Sequence, residues 1–157
     1  MDREPITPAG YQRLLREIEQ IKSVDRPRNI KAIEEARAHG DLSENADYDA
    51  AKNEQGLLNA RLMAAEDRLA RSEVIDPKTL SGPKVMFGAT VTLADLETDE
   101  QVTYKLVSSY EADLKHKTIS IESPIGKSLI GREEGDEVIV QTPQGRREFG
   151  IQRVEYL

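Results

Sequence analysis

Cysteine and tryptophan are absent from this 157-residue chain, and histidine occurs only at His39 and His116. Without cysteine there are no disulfides, thiolate metal sites or cysteine nucleophiles. Two histidines far apart in sequence leave almost nothing from which to build a triad or an imidazole metal cage. Long apolar runs are also missing, which excludes a membrane-spanning helix, and the start MDREPITPAG has no apolar stretch of the kind a signal peptide needs. No glycine pattern of the Walker or dinucleotide type is present. Basic charge is short as well: the net charge is -7, so the chain as a whole repels naked nucleic acid, and a nucleic-acid role has to be local or act through a partner. What is present, 38% hydrophobic and 32% charged residues with a mean hydropathy of -0.59, suits a soluble protein with much exposed surface. A cytoplasmic protein is the expectation.

The pattern changes near residue 76. From Thr7 to Glu73, Leu14, Ile18 and Ile21, then Ile30 and Ile33, then Leu58, Leu62, Ala65 and Leu69 recur at spacings of three and four, one narrow apolar stripe per helix. Thr7 before Pro8 marks a helix start and Gly40 a stop, so the first helix is predicted from Pro8 to His39, kinked at Pro27. The second is predicted from the region of Asp41 to Ser43 to about Glu73. Two long helices with a short join fold back as an antiparallel coiled-coil hairpin, although an ordinary bundle would share the pattern. Asp76 to Pro83 reads as a linker. Beyond it, Val85 to Leu93, Val102 to Val107, Thr118 to Ile121, Glu137 to Gln141 and Glu148 to Val154 read as strands, with a short helix between Ser123 and Gly131. The expected fold is therefore α+β, with residues 1–76 a helical hairpin and 77–157 a small antiparallel-sheet domain.

Gly40 to Asp49 holds four carboxylates and no basic residue, with Arg37 before it and Lys52 after it. Elsewhere charges pair four apart, as Arg13 with Glu17, Lys31 with Glu35 and Asp67 with Arg71. Two readings of the acids stand side by side. Asp41 with Glu44 three residues on has the pattern of a capping box, and acids in a first turn are favoured by the helix dipole, which leaves Asp47 and Asp49 without a role. Alternatively, Asp41 and Glu44 form an exposed half-site for a divalent cation. Mg²⁺ takes near-octahedral oxygen ligands, so two carboxylates would complete a site whose other ligands lie in a partner.

Gly40 to Gln55 (GDLSENADYDAAKNEQ), preceded by RPRNIKAIEEARAHG and followed by FGATVTL, SPIGKSLIG and the ending VEYL, resembles the Gre family of bacterial transcript cleavage factors over essentially the whole chain. The resemblance implies an N-terminal coiled coil that enters the secondary channel of bacterial RNA polymerase and an FKBP-like C-terminal domain docking at its outer rim. In that setting Asp41 and Glu44 match the carboxylates that stabilise the second Mg²⁺ of the polymerase centre and orient the attacking water for cleavage of backtracked RNA. Arg37 and Lys52 match a basic patch that holds the nascent RNA 3′ end. Lys52 stands where some members have arginine, which keeps charge but loses bidentate phosphate geometry. Ser123, Pro124 and Ile125 are implied to face the polymerase. The implied protein is a monomeric accessory factor with little activity of its own and no stably bound metal.

Smaller features keep their alternatives. Tyr48 either stacks on an RNA base or packs across the hairpin turn. His39 reads as a solvated or capping residue, since nothing in the sequence supplies a partner to orient it. Two rival functions share the resemblance. One is X-Pro isomerisation by the second domain, which needs an apolar aromatic pocket; the other is channel occlusion without cleavage.

Overall fold

The computed structural model describes residues 2–40 and 45–157. Asp41 to Glu44, the acids of the candidate half-site included, lie outside the described residues. The chain forms two compact units: Tyr11–Ser72 with the first two residues, and Arg3–Gly10 with Glu73–Leu157. The border thus falls before residue 76, and the segment Arg3–Gly10 belongs with the second unit. Two interactions inside that unit explain this. The Ile75 amide donates to the Ile6 carbonyl at 2.9 Å, and both the amide and the hydroxyl of Thr7 donate to the carboxylate of Glu111. The short strands involved, β1 (Glu4–Ile6) and β2 (Ser72–Val74), pair with each other. At three residues each they are too short to show a period in the sequence.

Helix α1 (Pro8–Gln20) starts as expected, with the Thr7 hydroxyl accepting the Gly10 amide at 3.1 Å. It does not run unbroken to His39. A π turn over Ile21–Asp25 leads into α2 (Arg26–Arg37), which has Pro27 in its first turn. Pro27 has no amide to give to the carbonyl four residues earlier, and the wider turn takes up the misfit: the Arg26 amide bonds the Ile21 carbonyl five residues back. The extra residue in that turn shifts the buried stripe by one position. Asn29, Ile33 and Ala36 face inward, and Ile30, expected in the stripe, is 51% exposed.

Helix α3 (Ala46–Arg71) contributes Ala51, Leu58, Leu62 and Ala65 to the seam. Its 26 residues span about 39 Å at 1.5 Å per residue. The buried Asn29 amide donates to the Ala51 carbonyl at 2.9 Å, a polar tie across an otherwise apolar seam, and Lys22 meets Glu66 at 3.1 Å where both are half exposed. That ion pair contributes little, since surface pairs of this sort are worth about 0–1 kcal/mol. No helix among the described residues is long and apolar enough to cross a membrane.

The second unit is built on a five-stranded sheet, in the order β5 (Thr118–Ser120), β4 (Gln101–Val107), β3 (Thr90–Asp95), β7 (Gly145–Glu155), β6 (Glu137–Thr142). All its pairings are antiparallel except β4 with β5, which is parallel and corrects the all-antiparallel expectation. The first sheet strand begins at Thr90, not Val85. Gly88 holds φ +87 and the Ala89 amide closes on the Met86 carbonyl at 3.0 Å, so the preceding residues form a turn. Helix α4 (Pro124–Leu129) lays Leu129 onto a core of Val85, Val91, Leu93, Leu106, Val140 and Phe149.

Asp95 occupies an inward position at the end of β3, where alternation otherwise places Val91 and Leu93. Its carboxylate accepts from Arg147 at 2.5 Å and from the amides of Glu97 and Thr98. The Arg147 hydrogen bond, reinforced by those amides, holds the Asp95 carboxyl below its ordinary 3.8. A carboxylate depressed in the folded state stabilises above its unfolded value and loses that contribution as pH falls through the folded one. Asp95→Asn is therefore expected to be less stable at neutral pH, with a flatter stability profile below about pH 4 than the parent chain in thermal melts. Parallel profiles for the two would show that the pair does not couple to folding.

Candidate functional site

The end of the hairpin is built from the last turn of α2 and the first turn of α3. Helix α2 closes with the His39 amide on Ala36 O and the Gly40 amide on Arg37 O, both at 3.1 Å, and Gly40 turns the chain at φ +101. A left-handed φ of this kind after a helix favours glycine. Helix α3 opens on Asn45 as its cap. The Asn45 Oδ1 accepts the Tyr48 amide at 3.0 Å, and the Asn45 amide nitrogen donates back to Ala36 O at 2.6 Å. Asp47 and Asp49 stand in the first turn of α3.

These positions correct the sequence reading of the acids. Helix α3 starts at Ala46, so its cap is Asn45 and not Asp41. Asp47 and Asp49, unexplained in the sequence, are where the helix dipole favours negative charge. Capping of α3 is met without Asp41 or Glu44, and both precede the cap. Sequence reasoning missed Asn45, although an Asn just ahead of a helical stripe is itself a start signal.

Around this end, the Arg37 guanidinium stands 6.0 Å from the centre of the Tyr48 ring, at the limit of a cation–π contact, so Tyr48 packs across the turn. Lys52 is exposed and donates to Gln55 Oε1 at 2.8 Å. Arg37 and Lys52 both lie beside the hairpin end, Arg37 in the last turn of α2 and Lys52 in the second turn of α3. His39 does have a partner, Asp47 at 3.7 Å, with both side chains mostly exposed. A groove runs here between the helices, lined by Glu35, His39, Asp47 and Glu54 together with Ala32, Ala36, Ala50 and Ala51. Among the described residues no group of three or more His, Cys, Asp or Glu could hold a metal. Asp41 and Glu44 offer hard carboxylate oxygens, a donor type that fits Mg²⁺, in a number that leaves most of its coordination to other ligands.

In the second unit, Ser123 caps α4: its hydroxyl accepts the Gly126 amide at 3.1 Å and donates to Ser120 O at 2.6 Å. Ile125 packs against the core, and of the three residues expected to face a partner only Pro124 is exposed. Beside them lies a groove of about 500 Å³ lined by Val85, Met86, Phe87, Ile121 and Ile130, with Lys84, Glu122 and Lys127 at its polar positions. Phe87 is the aromatic residue in this lining, a thin basis for the aromatic pocket that X-Pro isomerisation needs. Tyr156 fixes one wall, donating to Lys84 O at 2.5 Å and accepting the Met86 amide at 3.1 Å. Burial pushes its phenol above the ordinary 10, and the Met86 amide opposes that shift.

Residues 4–74 match the family model described as "Transcription elongation factor, N-terminal", and residues 80–156 the one described as "Transcription elongation factor, GreA/GreB, C-term". Transcription elongation factor GreA of Hyphomonas neptunium is 51% identical over 156 residues, covering 99% of each chain. That of Caulobacter vibrioides is 48% identical over 157 residues, covering 100% of each. Among solved structures, GreA factor homolog 1 of Thermus thermophilus is 31% identical, covering 98% of this chain and 99% of its own, with a TM-score of 0.43.

Proposed function

The chain belongs to the GreA/GreB family of transcription elongation factors, and on that premise we propose that it stimulates RNA polymerase to cleave backtracked nascent RNA, with Asp41 and Glu44 as the residues it contributes to that chemistry. The observation that carries the reading is the cap of α3. Because Asn45, Asp47 and Asp49 meet the electrostatic needs of the helix start, Asp41 and Glu44 are left over from its capping.

Their carboxylates would complete the coordination of a Mg²⁺ held jointly with the polymerase, an ion whose chemistry there is to stabilise negative charge on the phosphate under attack. The chain's own residues supply the rest. Asp41 and Glu44 accept hydrogen bonds from the attacking water and fix its orientation. Arg37 and Lys52 offer positive charge to the phosphates of the extruded RNA 3′ end, a contact that carries no sequence information. With an overall charge of -7 the chain has no attraction for free RNA, so recognition depends on the polymerase complex. The coiled coil is the part that enters the secondary channel, and the Pro124 side of the second unit is the part that meets the rim.

The test is binding. The intact chain is expected to co-migrate with bacterial RNA polymerase on a sizing column and to leave free RNA unshifted in a gel. Binding to free RNA with no co-migration would contradict the proposal.

A further inference from the structure

We propose that the free edge of β6 pairs with the same edge of a second copy of this chain, antiparallel and centred on Ile139, a property independent of the function proposed above. β6 ends the five-stranded sheet and has β7 as its one strand neighbour. Its register with β7 runs from Glu137↔Gly150 to Thr142↔Gly145 without a shift, and the Ile151 amide bonds Asp136 O at 2.8 Å. Antiparallel alternation then turns the backbone groups of Val138 and Val140 toward β7 and those of Glu137, Ile139 and Gln141 away from it. Among the described residues, nothing outside the β6–β7 ladder makes a backbone bond to these three. Natural sheets blunt such an edge with a proline, a bulge or a very short strand. The opposite edge, β5, is three residues long. From Glu137 to Gln141, β6 has none of these protections; its one charge, Glu137, stands at the end, and Ile139 at the centre is 53% exposed.

The residues of the edge indicate what covers it. Glu137-Val138-Ile139-Val140-Gln141 reads nearly the same in both directions. An antiparallel copy therefore sets Ile139 against Ile139, Val138 against Val140 and Glu137 against Gln141. The two Ile139 residues exchange both their backbone bonds, the valines stay on the core face, and each Glu137 carboxylate meets a neutral amide rather than a second carboxylate. A two-fold contact requires this self-complementarity. A five-residue strand pair buries less than the roughly 1,000 Å² of a permanent interface, so the pairing is weak and reversible.

At the centre of a two-fold contact, position 139 meets only itself, which sets the test. In sedimentation equilibrium the intact chain is expected to rise in mass from 17.6 kDa toward twice that as concentration goes from the micromolar to the millimolar range. Ile139→Lys and Ile139→Glu, both at an exposed position, should keep the parent's circular dichroism and Tm and stay monomeric, because each sets like charges face to face. Mixed in equal amounts they should associate again, several-fold more tightly than either alone. In the parent, the Glu137, Ile139 and Gln141 amides should exchange more slowly as concentration rises, while those of Val138 and Val140, already bonded to β7, should not change. A parent that stays at 17.6 kDa throughout, the monomer that the resemblance implies, would overturn the proposal. So would variants that associate like the parent, a mixture that stays monomeric, or protection of other amides in place of these three. Protection of the three amides by RNA polymerase alone would give the edge a different occupant and overturn it as well. If either variant loses its fold, the parent's exchange pattern decides the question alone.

Discussion

Asp41→Asn combined with Glu44→Gln is expected to reduce stimulated RNA cleavage by on the order of 100-fold or more, the scale on which removal of a preorganised electrostatic stabiliser is felt. The substitutions keep size, remove the charge and replace one acceptor oxygen of each carboxylate with a donor NH2. They leave the α3 cap untouched, because Asn45 and not Asp41 accepts the Tyr48 amide. Helix content and thermal stability should accordingly match the parent, and affinity for the polymerase is expected to match it too. The loss should thus fall on cleavage rate alone. If the doubly substituted chain cleaves as fast as the parent, the tip acids have no chemical role. If it cleaves slowly only because it no longer binds, they are docking residues.

Leu106→Ala carries the largest expected effect on stability. Leu106 is fully buried near the end of β4, where its backbone bonds Gly88 and Ala89 in the turn before β3 and its side chain joins the sheet core. Truncation there removes apolar contact and leaves a cavity that the surrounding strands fill poorly, at about 2–5 kcal/mol. For a unit of this size that is roughly 10–30 °C in Tm. The second unit should show the shift in a thermal melt. A shift of only a degree or two would mean that this part of the core repacks freely.

The hairpin and the sheet could be read from periodicity because each buries one face along most of its length. Leu58, Leu62 and Ala65 repeat at helical spacing and are all buried, and the inward Val91 and Leu93 alternate with half-exposed residues. What escaped the sequence is local chemistry that no period reports. The π turn at Ile21–Asp25 adds one residue and rotates Ile30 out of the seam, and only the missing amide of Pro27 hinted at it. The parallel pairing of β5 depends on its partner, not on its own three residues. At the site, the signal misread was a choice between two caps five residues from one end of the tip segment to the other: Asp41 with Glu44 imitates a capping box, while Asn45 is the residue that caps. That difference leaves the capping of α3 to Asn45.

The central claim is that this chain lends an incomplete pair of ligands to a centre that is not its own, and one assay addresses it directly. RNA cleavage is followed over a Mg²⁺ titration in stalled elongation complexes and, in parallel, on the same RNA free in solution. The expected result is cleavage accelerated by the chain only within the complexes, with half-saturation at lower Mg²⁺ than for polymerase alone. Cleavage of free RNA by the chain, or acceleration with an unchanged Mg²⁺ requirement, would contradict it.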